Sequence, residues 1–114
     1  MIIEKTTTLK FEVYPHDLPE TMTFLDAEKA VAALGDGWEI PTIEQLRLMC
    51  ERKDEIGGFC TEYDSGSDYP DYYWSRTELS DPSFVRNVRF SDGFEDWDHK
   101  DYYRLSCRPV RSVA

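Results

Sequence analysis

Pro41-Thr42 is the pair of residues that most limits how this chain can fold. Proline has no backbone donor, and its ring pushes Ile40 out of helical geometry, so no helix runs through this point. Thr42 stands as an N-cap whose hydroxyl can accept from the N–H of Gln45. The Gln45 side chain can reach back to the N–H of Thr42, which completes a capping box. Pro41 and Leu46 occupy the two positions of a hydrophobic staple. Beyond this boundary Ile43, Leu46, Met49 and Cys50 recur at helical spacing. Arg47, Glu51, Arg52 and Lys53 cover the wet side, and Gly57-Gly58 ends the helix.

The remaining elements follow from similar signals. Leu9, Phe11 and Val13 alternate with Lys10, Glu12 and Tyr14, the period of a half-buried strand, which Pro15 and Pro19 end. Thr23 stands three residues before Asp26 as a cap. Phe24, Ala27, Ala30, Val31 and Leu34 then form a helical stripe that Gly35 stops. From Thr61 to Tyr73 the chain is rich in Asp, Gly, Ser and Tyr without periodicity and reads as a long surface loop. An extended segment resumes at Tyr73-Trp74-Ser75. Phe84 to Phe90 reads as a strand, Ser91-Asp92-Gly93-Phe94 as a two-residue hairpin, and Phe94 to Trp97 as the return. Tyr103, Leu105 and Cys107 alternate with Arg104, Ser106 and Arg108, giving a last strand that Pro109 ends. The order is one strand, two helices, a loop, then several strands: an α+β domain spanning residues 1–114, with room for one apolar core.

Charge narrows the function classes. The net charge is −10, and it is uneven: seven basic and eighteen acidic residues from Met1 to Ser83 leave −11, whereas six basic and five acidic residues from Phe84 to Ala114 leave +1. An acidic surface repels phosphates, which argues against nucleic acid as a partner. No apolar run reaches the roughly 20 residues of a membrane helix, and Met1-Ile2-Ile3-Glu4-Lys5 lacks the features of a signal peptide. A cytoplasmic location, or carriage on a larger particle, is the expectation. Cys50, Cys60 and Cys107 cannot all pair within one chain and show no metal spacing, so reduced, buried thiols are expected and no zinc site.

Four segments then fall into a familiar order. Trp38-Glu39-Ile40-Pro41-Thr42-Ile43-Glu44-Gln45-Leu46 is similar to a W-x-L/I-P-T-x-x-E-L motif, with the acid one place early and Gln45 in its position. Tyr73-Trp74-Ser75-Arg76-Thr77 is similar to Y-W-S-S-T, with Arg76 departing. Val88-x-Phe90-x-x-Gly93, followed by Leu105-x-Cys107-Arg108-Pro109-Val110-Arg111, resembles closing strands that end V-R-C-V-R. Together they resemble the C-terminal domain family of bacterial collagen-like adhesins (the Lcl C-terminal family), over about Phe24 to Arg111. That family has a C-type-lectin-like fold related to the formylglycine-generating enzymes. The resemblance implies two helices flanking a small, twisted, mostly antiparallel sheet, with the N- and C-terminal strands paired. It also implies that Trp38 and Trp74 are core pillars.

The chemistry legible in the chain favours binding over catalysis. Formylglycine generation needs a matched pair of cysteines to hold copper, and Cys107 stands alone in the C-terminal third. The chain has no G-x-S-x-G, H-E-x-x-H or phosphate loop, and His16 and His99 are remote from each other in sequence. Asp64, Asp68 and Asp71 crowd one segment, and Asp96, Asp98 and Asp101 another, yet the spacing of an EF-hand is missing. Calcium is thus unsupported and no cofactor is expected. Tyr63, Tyr69, Tyr72, Phe94 and Trp97 interleave with acids on loops and strand ends, the composition by which rigid scaffolds gain contact area. Asp68, Tyr69, Asp71 and Tyr72 with Glu95, Asp96, Trp97 and Asp98 are therefore expected to form one acidic, aromatic face. Its expected partner is a protein or a carbohydrate, with no nucleic acid and no membrane. The alternative is a structural or particle component whose same face is a subunit interface. Acidic mimicry of nucleic acid rests on charge alone and is the weakest reading.

Overall fold

A computed structural model describes residues 1–62 and 68–113. In chain order the elements are β1 (Ile2–Glu4), β2 (Lys10–Val13), α1 (Phe24–Leu34), α2 (Ile43–Glu51), α3 (Lys53–Ile56), β3 (Tyr69–Glu78), β4 (Phe84–Arg89), β5 (Glu95–His99), β6 (Leu105–Ser106) and β7 (Val110–Ser112). The capping box is formed: Gln45 N–H donates to the Thr42 hydroxyl at 3.2 Å, and Thr42 N–H to Gln45 Oε1 at 2.8 Å. Ile43 N–H, another donor the helix leaves free, is taken by the Thr77 hydroxyl of β3 at 2.9 Å, which ties the start of α2 to the sheet. Thr23 caps α1 by accepting from Asp26 N–H, and Gly35 ends it at φ 69°. Among the described residues no helix is long and apolar enough to cross a membrane.

The strands form two mostly antiparallel sheets, ordered β1-β2-β7 and β5-β4-β3-β6, with β3 and β6 parallel. The chain ends do pair, but beyond Pro109: Phe11 faces Ser112, Glu12 faces Arg111 and Val13 faces Val110. The expected last strand is thus two. Leu105–Ser106 joins the other sheet, and Pro109 separates it from Val110–Ser112. From Val13 onward the N-terminal segment still tracks this stretch. Tyr14, Leu18 and Met22 N–H groups donate in turn to the carbonyls of Pro109, Cys107 and Leu105. The second helix is also two, because a short α3 intervenes before Gly57.

β3 begins at Tyr69, four residues before the expected Tyr73, because Tyr69 and Tyr73 pair with β6 and Tyr72 pairs with Arg89. The hairpin after β4 is wider than a two-residue turn. Phe90 is fully buried and its N–H donates to the Asp71 carbonyl, which takes it off the ladder with β5. Arg89 N–H to the Phe94 carbonyl at 2.7 Å closes the loop, with Gly93 at φ 82° inside it.

Because side chains alternate along β3, the apolar interior is divided and not single. Tyr73 faces a cluster with Ile3, Phe11, Leu46, Met49, Val88 and Phe90, between the three-stranded sheet and α2. Trp74 faces the other way, into Phe24, Ala27, Val31, Val85 and Leu105 under α1. Trp74 is the pillar expected of it: fully buried, its indole N–H bonded to the Met22 carbonyl at 2.8 Å. Trp38 is not a fully buried pillar. It is half-buried against the Trp74 cluster, edge-on to Tyr14 at 4.9 Å and beneath the Arg111 guanidinium at 4.4 Å. Likewise Cys107 is buried, while Cys50 and Cys60 are half-buried.

Candidate functional site

The residues expected to share one face divide along β5. Antiparallel pairing sets Val88 opposite Glu95, Asn87 opposite Asp96, Arg86 opposite Trp97 and Val85 opposite Asp98. Successive residues therefore point to opposite sides of the sheet. Glu95 and Trp97 lie on the α2 side. Glu95 takes Arg47 of α2 in a two-point bond, 2.7 and 2.8 Å, which holds its carboxyl below the usual range. Trp97 is 54% exposed. Asp96 and Asp98 point to the other side, where they meet tyrosines from β3.

There a cleft of about 210 Å³ is lined by Tyr69, Tyr72, Asp96, Asp98, Tyr103 and Leu105. Tyr69 sits edge-on to Tyr72 at 5.9 Å and to Tyr103 at 5.8 Å, so three rings form a corner with their edges against each other's faces. Among the described residues Asp96 Oδ1 accepts only from the neighbouring Trp97 N–H, at 2.8 Å. Asp98 Oδ2 accepts from Nδ2 of Asn87 at 2.7 Å. Asn87 is fully buried, and its Oδ1 has no partner among the described residues. Burial lifts the Asp98 carboxyl above its ordinary range; the Asn87 amide pulls it back, and the nearby Asp96 lifts it again. Among the described residues neither Asp96 nor Asp98 is in an ion pair. Arg89 lies over the Tyr72 ring at 5.5 Å and its Nη1 donates to the Tyr72 hydroxyl at 3.3 Å, while Asp92 holds its Nε and Nη2.

Four of the eight expected residues thus meet in the cleft: Tyr69, Tyr72, Asp96 and Asp98. Asp68 stands at the start of β3, accepting from the Thr21 hydroxyl at 3.1 Å and facing Arg104 at 3.8 Å. Asp71 is not on any surface. It points inward on the Tyr73 side, fully buried, with Oδ2 accepting from the Ser91 hydroxyl at 2.8 Å and Oδ1 without a partner among the described residues. Tyr63 and Asp64 lie outside the described residues. Among the described residues no three His, Cys, Asp or Glu side chains group as a metal site, and Asp71 is turned away from Asp68.

Tyr103, Leu105 and Asn87 were not anticipated. A clue to Asn87 was its parity with Val85 on β4, which puts an amide on the apolar side of the strand. Tyr103 was expected to open the last strand with Leu105 on its face; it instead precedes β6, and enters the cleft beside Leu105 from the connecting segment. A larger groove of about 400 Å³ runs along α1 beside Trp38, where Arg76 and Glu39 pair with each other at 2.8 Å and Glu28 stands on its rim. The smaller cleft is the one in which two carboxylates stand beside three tyrosine rings.

No protein-family model matches this chain, and no curated protein matches it either.

Proposed function

We propose that the chain is a non-catalytic binding module that recognises a protein or glycan partner through the Tyr69–Tyr72–Tyr103 cleft. The carrying observation is that three tyrosine rings and two carboxylates, outside any ion pair among the described residues, line one cavity. Rings give contact area at little entropic cost, and carboxylates accept from hydroxyl or ammonium donors. The motif resemblance to the Lcl C-terminal family agrees with a binding role, and the pairing of β2 with β7 agrees with a C-type-lectin-like arrangement. An NMR titration against a panel of glycans and peptides tests the reading. Shifts gathered at Tyr69, Tyr72, Asp96, Asp98 and Tyr103 support it, and shifts confined to the α2 side contradict it.

The second reading, a particle component with a subunit interface, draws on the exposure of Trp97, Phe94 and Tyr102. Rings bare to water at a sheet edge favour association. Light scattering after size exclusion separates the two: a stable oligomer dissolved by Trp97→Ala supports the interface, and a monomer removes it.

A further inference from the structure

Taking the cleft as the recognition site, we infer that its ligand is an alkylammonium group, such as a lysine side chain presented by a protein partner. Size is the first ground. A cavity of about 210 Å³ is smaller than the roughly 300–1,000 Å³ of drug-sized ligand sites, so it takes one side-chain-sized group and not a whole ligand. Charge is the second. Any group that seals the cleft withdraws Asp96 and Asp98 from water, and a carboxylate removed from water needs a compensating charge. None of the lining residues is a lysine or arginine. Arg89 gives Nε and Nη2 to Asp92 and reaches the cleft only at the Tyr72 hydroxyl, through Nη1 at 3.3 Å, and Arg104 faces Asp68 at 3.8 Å; among the described residues neither pairs with Asp96 or Asp98.

The rings are the third ground. Aromatic faces attract cations through their quadrupole, and a corner of several rings beside a carboxylate suits an ammonium better than a neutral hydroxyl. Tyr72 already lies under a cation of the protein's own, the Arg89 guanidinium. Behind the rings, fully buried Asn87 fixes Asp98 through Nδ2, and its Oδ1 remains without a partner among the described residues. Asp98 is thus set in place before any ligand arrives, although burial disfavours its ionised form. An entering ammonium supplies the charge that the site lacks.

The test is an NMR titration of the intact chain with three probes: N-acetyl-lysine methylamide, its neutral counterpart N-acetyl-norleucine methylamide, and glucosamine. The lysine probe should bind at least about tenfold more tightly than the norleucine probe, the ratio that charge recognition of this size implies. The Asp96→Asn/Asp98→Asn variant should lose about tenfold in lysine-probe affinity while keeping its fold, since each asparagine retains an oxygen that can accept from Trp97 N–H or Asn87 Nδ2. Equal binding of the norleucine probe, or undiminished binding by the variant, overturns the inference. Binding of glucosamine without the lysine probe also overturns it but leaves the cleft as a glycan site. Shifts centred away from the cleft overturn both.

Discussion

Replacing Arg108 with Met should destabilise the fold more than any surface change, for reasons countable atom by atom. Arg108 is 2% exposed. Its Nε donates to the Tyr14 carbonyl at 2.6 Å, Nη1 to Asp17 Oδ1 at 3.1 Å, and Nη2 to the Pro15 and Gly57 carbonyls at 3.2 and 3.0 Å. The Phe59 ring lies 4.5 Å from the guanidinium, and the Tyr73 hydroxyl donates to the other Asp17 oxygen. One side chain therefore joins the segment after β2, the end of α3 and the C-terminal segment. Methionine fills most of the volume but leaves Asp17 unpaired and three carbonyls without a donor. Breaking a buried ion pair on one side costs about 3–5 kcal/mol, a third or more of the stability of many domains. At about 4 °C per kcal/mol for this size, the melting temperature should fall by roughly 12–20 °C.

The assay is thermal unfolding by circular dichroism at two pH values. Burial already lifts the Asp17 carboxyl above its ordinary 3.8, against bonds from Tyr73 and Arg108 that lower it. A group with a raised folded pKa gives stability that is full below its unfolded pKa and is lost as pH rises through the folded value. Without Arg108 the folded value rises further, so the gap between variant and wild type should be wider at pH 7 than near pH 4. A variant melting within about 3 °C of wild type at pH 7 would refute the account of Arg108 as the tie between these segments.

Further outcomes follow from the same geometry. Thr42→Ala removes one half of the capping box and should cost about 1 kcal/mol in chemical denaturation, with Thr42→Ser restoring most of it. Trp74→Ala should prevent cooperative folding, since a fully buried Trp is worth about 3–5 kcal/mol, whereas Trp38→Ala, half-exposed, should melt lower but fold; equal effects of the two would contradict the burial difference. Asp98→Asn removes a carboxyl whose folded pKa is raised by burial. The wild type loses that stability as pH rises through the carboxylate range, so the variant should be the more stable at pH 7 and match wild type near pH 3. A wild type that gains stability over that range relative to the variant would contradict the assignment.

Much of the architecture was legible because its signals are local. The Thr42–Gln45 box, the Thr23 cap and Gly35 each act within one turn of chain, and each is in place. What was not legible depends on long-range pairing. Tyr69 becomes strand only because β4 and β6 lie on either side of β3, and Phe90 leaves the hairpin because Asp71 offers its carbonyl. Pro109 marks a break between two strands instead of an end, since Val110 finds Val13 beyond it. The expected face failed for a similar reason. Glu95–Asp98 lies in β5, close to the return strand expected over Phe94 to Trp97, and alternation along it sends Asp96 and Asp98 to the tyrosines and Trp97 to the opposite side. Acid-and-aromatic composition located the region; only the register could divide it.

The most direct measurement compares Tyr103→Ala and Trp97→Ala in one binding assay, with melting temperature followed alongside. Both side chains are exposed, 42% and 54%, so neither change should unfold the chain. If the cleft is the recognition site, Tyr103→Ala weakens partner binding by about tenfold or more and Trp97→Ala leaves it unaltered. Loss of binding with Trp97→Ala, and none with Tyr103→Ala, would place recognition on the α2 side and contradict the account.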